Sequence, residues 1–303
     1  MTSNTIQSKS GSRGTLALED QTLREAFQIQ PHEIPVTDRL RLLEALVQAG
    51  MRRLQVGSLV RADRMPQMSH IEQLFANVKQ LPDLEIWALV FNFRGLKRAM
   101  DCGITHVALS ASLSPIHSRR NLRCSVEHGM ARCRDMAAEA LAQGLTVRMG
   151  LQCAFGGPML GPPEPMHLLQ WLMPFHSLGV RRLALADTAG RAAPQGLSDT
   201  IKYLREGLPG AELGLHLHGD QERLAANLEA AWSGGASWLD ATLLGRGGCP
   251  FLPGQPPANL PLGQAAEFLA RKGVDTGLDF AALDRAEALL DTILSNRRVR
   301  VGR

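Results

Sequence analysis

The stretch Glu212-Leu213-Gly214-Leu215-His216-Leu217-His218-Gly219-Asp220 reads as a strand that ends on two imidazoles and turns at a glycine. Residues two apart on a strand share a face, so His216 and His218 project together. Such a pair suits a divalent metal, and equally it suits two hydrogen-bonded structural histidines, so further donors must decide. The segment after the turn decides the fold. Gln221 to Trp232 carries apolar residues at three- and four-residue spacing, the mark of an amphipathic helix packed back on the strand.

The same strand-then-helix unit recurs along the chain. Strand-like runs are Thr15 to Glu19, Arg53 to Val60, Glu85 to Phe91, His106 to Ser112, Thr146 to Phe155, Arg182 to Asp187, Glu212 to His218 and Trp238 to Leu244. Between them lie helical patterns at Asp38 to Gln48, Ile71 to Lys79, Phe93 to Asp101, Val126 to Ala142, Pro165 to Ser177, Leu197 to Arg205 and Gln221 to Trp232, several ending on a glycine (Gly50, Gly144, Gly179, Gly234). Regular alternation predicts a parallel sheet. Eight such units, with no glycine-rich dinucleotide loop after the first strand, predict a closed (β/α)8 TIM barrel rather than a doubly wound sheet. A further C-terminal helix, Phe280 to Leu294, is expected to pack across the barrel.

The chain has 303 residues, 45% hydrophobic and 20% charged, which is the composition of a globular protein with a large core. Residues 15–296 are read as the barrel, 1–14 as a flexible leader and 297–303 as a basic tail. A net charge of +4 with no aromatic stacking platform beside the basic tail predicts no nucleic-acid partner. No run approaches the ~18 continuous apolar residues of a membrane helix. Five cysteines without Cys-x-x-Cys spacing argue against a disulfide framework or a zinc ribbon, and with no secretory signal the expected compartment is the cytoplasm.

Barrel enzymes carry their chemistry where strands end and the next loops begin. Polar clusters fall at those points: Arg24-Glu25 after the first strand, Asp187-Thr188 closing the sixth, His216 and His218 closing the seventh, then Gly247-Gly248-Cys249-Pro250 and Asn259 beyond the eighth. Convergence from both ends of the chain turns the histidine pair into a candidate metal site. Arg24 is a candidate catalytic cation, or else a salt-bridge partner of Glu25 or Asp187. Asp187 is a candidate acid/base or positioning carboxylate, or a loop-structuring one.

At these residues the chain resembles the 3-hydroxy-3-methylglutaryl-CoA lyases, from about Leu23 to Leu294. The likeness rests on Arg24-Glu25, Pro66-Gln67-Met68, Asn121 to Glu127, Asp187-Thr188-Ala189-Gly190, the His-x-His step and the cysteine loop, the most specific signal. The resemblance implies a Mg²⁺- or Mn²⁺-dependent cleavage of 3-hydroxy-3-methylglutaryl-CoA, or a close 3-hydroxyacyl-CoA, to acetyl-CoA and acetoacetate, in a homodimer. It assigns Glu25, His216, His218 and Asn259 as metal ligands, Arg24 to the developing enolate oxygen, and Cys249 to proton transfer at the acetyl carbon. A thiol near its ordinary pKa of ~8.5 trades a proton at neutral pH once a nearby cation lowers it. Gln28 and Gln55 are expected to meet substrate, and Arg119 and Arg120, in the loop after the fourth strand, the CoA phosphates.

The departures cluster at the same mouth. Glu25 stands where the family has Asp, moving the carboxylate by about 1.5 Å, a displacement of the size that costs activity. Ala26 replaces a Gly, Gln55 a Glu and Arg246 a Leu, the acid expected near Gln30 is missing, and the span from Cys249 to Asn259 is one residue longer. Two alternatives stay open: a lyase or condensing enzyme for a different acyl-CoA or 2-oxo acid, and a catalytically silent acyl-CoA-binding barrel.

Overall fold

The computed structural model describes residues 16–78, 83–252, 254 and 257–295. In chain order the elements are β1 (Ala17–Asp20), α1 (Thr22–Gln28), α2 (Val36–Gln48), β2 (Arg53–Ser58), α3 (Ile71–Val78), β3 (Glu85–Val90), α4 (Phe93–Asp101), β4 (His106–Ser112), α5 (Pro115–Asn121), α6 (Val126–Ala142) and β5 (Thr146–Gln152). Then come α7 (Pro165–Leu178), β6 (Arg182–Ala186), α8 (Pro194–Gly207), β7 (Glu212–His216), α9 (Gln221–Gly234), β8 (Trp238–Ala241), α10 (Leu262–Arg271) and α11 (Phe280–Ser295). The strands pair in sequence order, all parallel, and β8 returns to β1 to close the barrel. The TIM barrel with an added C-terminal helix is therefore the fold. The leader 1–14 and the tail 297–303 lie outside the described residues.

Every strand run read from the sequence is present, and the differences lie at strand ends. The fifth run stops at Gln152 because Cys153 takes a left-handed conformation (φ 58°), and the eighth stops at Ala241, with Leu244 at φ 55°. Non-glycine residues there mark sharp turns that periodicity does not reveal. The helices α1, α5 and α10 were not read from the sequence: the first two are seven residues long, too short for two full repeats of an apolar stripe. Arg119 and Arg120 accordingly sit on α5, not in a loop. Gly235, not Gly234, is the left-handed residue that ends α9. The helix α11 packs against α2 and against the turn Leu243–Gly245 that follows β8. Gly50 makes that seating possible, since a Cβ there would run into the Gly277 carbonyl.

Strand register sets the barrel interior. Glu19 on β1 is paired with Asp240 on β8, and Asp240 with His216 on β7, so these three lie in one row around the wall. Arg148 of β5 reaches across to this row, donating to Glu19 Oε1 at 2.6 Å and to Asp240 Oδ2 at 2.9 Å. Toward the strands' N-terminal ends Arg182 pairs with Glu85 and stacks over Trp87 and Trp238, at 5.2 and 5.6 Å from the ring centroids. Gly214 leaves room for the Trp238 indole, which a Cβ would strike. This charged and aromatic plug closes one end, and the other opens as a cavity of about 480 Å³.

Candidate active site

The cavity is lined by residues from the strands β2 to β8, from α1 after β1 and from the loops after the strands, and Arg24, Glu25, Gln28, Gln55, His216, His218 and Cys249 of the sequence-derived set are among them. Glu25, on α1, is ion-paired to Arg24 and accepts from Gln28 Nε2 (3.0 Å) and the Gly248 N–H (3.3 Å). Burial would raise its pKa, but the Arg24 charge and the two histidines override this and hold it down to about 2, so the carboxylate stays ionised. Arg24 is fixed on its other side by Gln21 Oε1, 2.9 Å from Nη2.

The two rings face the same space, their centroids 4.8 Å apart and edge-on. His216 Nδ1 lies 3.1 Å from Asp240 Oδ2, and His218 Nδ1 lies 3.1 Å from the Asp187 carbonyl oxygen. Arg148 and His216 outweigh burial to hold Asp240 down to about 2. Both partners are thus acceptors only, so each Nδ1 carries the proton. Burial, with His216 beside it, pushes His218 down to about 4, so at neutral pH its ring is neutral and Nε2 presents a lone pair. His216 Nε2 faces Glu25 Oε1 at 3.7 Å.

Asn259 is brought to this cluster by a short bridge with His218 beyond the end of β7: the Gly219 N–H donates to Ala258 O and the Leu260 N–H to Leu217 O. Its Nδ2 donates to Arg246 O at 3.0 Å, which points Oδ1 away from that bond. Gly247 (φ 123°) closes over the group, and a Cβ there would collide with Asn259 Nδ2 and approach Glu25 Cβ to 2.7 Å.

Among the described residues no three His, Cys, Asp or Glu side chains already form a metal cage, since Glu25 is turned onto Arg24. Two observations nevertheless suit a cation. His218 Nε2 and Asn259 Oδ1 are buried without a hydrogen-bond partner, each with a lone pair to give. Both histidines also have their outer nitrogen held by an oxygen acceptor, the arrangement that orients metal-binding imidazoles. The donor set of two imidazoles, a carboxylate and an amide oxygen fits a hard or borderline divalent ion.

Three expectations change. Asp187 does not line the cavity: its carboxylate accepts from the N–H groups of Arg191 (2.7 Å) and Ala192 (3.0 Å), and burial, against those bonds, pushes its pKa to about 6. Its carboxylate structures the turn, and its carbonyl oxygen holds His218 Nδ1. Arg120 lines the cavity with Arg123 and Arg132, while Arg119 does not. Cys249 meets no lowering cation, and burial pushes its thiol up to about 12.

Sequence reasoning missed Asp240, Arg148 and Gln21, which hold the histidine and the arginine, and His117, whose Nε2 is 3.1 Å from Cys249 Sγ. The signal for the first two was available. Strands buried on both faces read as near-continuous apolar runs, so Asp240 within Trp238 to Leu244 and Arg148 within Thr146 to Phe155 need partners. For His117 no local pattern points to a residue 132 positions away.

Residues 15–290 match the family described as HMGL-like. The chain belongs to the HMGL-like family. It is 26% identical to the mitochondrial hydroxymethylglutaryl-CoA lyase of Bos taurus, over 90% of this chain and 84% of that one. It is 29% identical to the (R)-citramalyl-CoA lyase of Chloroflexus aurantiacus, over 92% of this chain and 91% of that one. The crystal structure of a hydroxymethylglutaryl-CoA lyase from Pseudomonas aeruginosa superposes with a TM-score of 0.86 at 27% identity, covering 93% of each chain. Two substrates thus appear among relatives of similar identity. No helix among the described residues is long and apolar enough to cross a membrane.

Proposed function

We propose that this HMGL-like protein cleaves 3-hydroxy-3-methylglutaryl-CoA, or a close 3-hydroxyacyl-CoA, to acetyl-CoA and an oxo acid, with a divalent cation bound by Glu25, His216, His218 and Asn259. By reaction class it is an oxo-acid lyase. The observation that carries the reading is the pair of buried, unpartnered acceptors, His218 Nε2 and Asn259 Oδ1, beside an ionised Glu25. Mg²⁺ or Mn²⁺ bound there supplies Lewis-acid polarisation of the substrate's hydroxyl and carbonyl oxygens.

The protein's own groups do the rest. Arg24, pinned between Gln21 and Glu25, presents a fixed positive charge to the thioester oxygen as the carbon–carbon bond breaks and its electron pair moves into the enolate. Such preorganised charge needs no rearrangement in the transition state. Cys249, on the loop over the cavity, donates its sulfhydryl proton to the acetyl carbon. Gln28 holds the second oxygen of Glu25. Gln55 Oε1, buried without a partner among the described residues, accepts a hydrogen bond from the acyl part. Arg120, with Arg123 and Arg132, forms the basic side of the mouth that takes the CoA phosphates. A homodimer belongs to the same proposal by family resemblance, and a cytoplasmic location, that of the 27% identical cytoplasmic lyase of Rattus norvegicus, is proposed with it.

A second reading, a lyase for a different 3-hydroxyacyl-CoA, is favoured by Gln55 itself: a neutral amide in the cavity wall selects a different acyl hydrogen-bonding pattern from a carboxylate. One assay addresses both. The purified protein is incubated with 3-hydroxy-3-methylglutaryl-CoA, with citramalyl-CoA and with longer 3-hydroxyacyl-CoA thioesters, each with and without Mn²⁺. Acetyl-CoA release and the partner acid are then measured. Cation-dependent acetyl-CoA with acetoacetate supports the first reading, another oxo acid the second, and release from no thioester sinks both in favour of a silent binding barrel.

A further inference from the structure

His117 stands between the hydroxyl of Ser112 and the thiol of Cys249. It is on α5 and fully buried, with Nδ1 3.0 Å from Ser112 Oγ and Nε2 3.1 Å from Cys249 Sγ. Ser112, the last residue of β4, is buried as well. Its oxygen accepts from the Ser114 N–H at 3.2 Å, which leaves one hydroxyl proton to place. The acceptors in reach are His117 Nδ1 at 3.0 Å, the Ser114 carbonyl at 3.5 Å and Cys153 Sγ at 3.7 Å. Hydrogen bonds weaken steeply with length, so the proton goes to the imidazole. A neutral ring that accepts at Nδ1 carries its own proton at Nε2, and here that proton points at sulfur.

We infer that His117 is a positioning residue for Cys249: held as its Nε2–H tautomer by Ser112, it donates a hydrogen bond to the sulfur and stabilises the thiolate. The inference rests on the reading of Cys249 as the proton donor of a lyase. In that step the S–H bond breaks, the enolate's electron pair forms the new C–H bond, and the thioester carbonyl is restored. A thiolate is left, and the balance closes when the proton removed from the tertiary hydroxyl returns to sulfur.

The surroundings explain why the thiolate needs a donor. Cys249 is partly buried, with the ionised Glu25 of α1 and Cys153 after β5 acting against a negative sulfur, and only the Phe251 and Leu252 N–H groups favouring it. The charged group acting on His117 is Arg120 on its own helix. With burial it keeps the imidazole neutral, so the ring serves as a dipole and not as a cation. A hydrogen bond to a charged group is worth enough to shift an ionisation about tenfold or more.

The test reads the thiol itself. The full-length protein is alkylated with iodoacetamide from pH 6 to 10, and modification of the peptide bearing Cys249 is followed by mass spectrometry. The variants are His117→Phe, His117→Gln and Ser112→Ala, each checked for its melting temperature. We expect His117→Phe to move the alkylation profile up by about one pH unit, roughly tenfold slower at pH 8. His117→Gln, which keeps an N–H donor at similar reach, should regain most of the rate, and Ser112→Ala should fall between. A wild-type profile in His117→Phe overturns the inference, and so does a His117→Gln protein as impaired as His117→Phe. Should His117→Phe fail to fold, Ser112→Ala decides, and an unshifted profile there is equally fatal. Acetyl-CoA release is assayed in parallel. A shifted thiol in a chain that cleaves no thioester refutes the lyase reading alone, whereas active enzyme with an unshifted thiol refutes only the role of His117.

Discussion

The two ends of the barrel interior are built from the same residue types and treat them in opposite ways. At the closed end, Arg182 is paired with Glu85 and sandwiched by two indoles, and Arg148 is divided between Glu19 and Asp240. At the open end, His218 Nε2, Asn259 Oδ1 and Gln55 Oε1 are buried with nothing to bond. Unpaired buried polar atoms cost about 1–3 kcal/mol each. The closed end pairs its arginines, though Glu19 Oε2 is left without a bond there too, while at the mouth the unpaired acceptors are ones that a ligand can complete. Asp240 joins the two regions, taking Arg148 from below and fixing His216 above.

If the mouth is the ligand's end, substitutions there strike turnover and spare stability. His218→Ala should lower acetyl-CoA release about a thousandfold and abolish Mn²⁺ binding measured by electron paramagnetic resonance, with little change in melting temperature. Chelator treatment should mimic it reversibly. At the plug the order reverses. Arg148→Met leaves two buried carboxylates without their cation and should cost about 3–5 kcal/mol in a denaturant titration. Should Arg148→Met melt like wild type, the division between the two regions breaks.

A pH titration sharpens the contrast. Burial, only partly offset by Arg148, raises Glu19 from its ordinary 4.5 to about 7. The folded state therefore holds this proton more tightly than the unfolded chain, so the contribution of Glu19 to stability is fully present below about 4.5 and is lost as pH rises through about 7. Glu19→Gln should flatten that decline in melting profiles, leaving the slope due to Asp20 and Asp187, which burial also raises. The smaller effects lie at the rim. Gln55→Leu should raise KM about tenfold while kcat changes little, the mark of a contact made equally in ground and transition states. Arg120→Ala should raise KM for the CoA thioester a few-fold, less so in high salt because that side chain is exposed.

How much of the site was legible depends on how each residue is held. Glu25, His216, His218 and Cys249 are named by motif and do line the cavity, and Asn259 reaches them through its bridge to His218. Asp187 belongs to a motif too, yet its carboxylate turns into its own loop, because two backbone N–H groups lie within reach and the cavity does not. Arg119 and Arg120 are adjacent in sequence, but consecutive residues on a helix point about 100° apart, so only one faces the mouth.

By itself the sequence determined the eightfold strand-and-helix alternation, which without a dinucleotide loop after the first strand predicts the closed barrel, and it placed the chemistry at one rim. Only the tertiary structure decided which groups are ionised, which lone pairs are left open, and that His117 meets Cys249. Those properties depend on burial and on distances of about 3 Å between residues far apart in the chain, and strand register around a closed wall, not local spacing, fixes them.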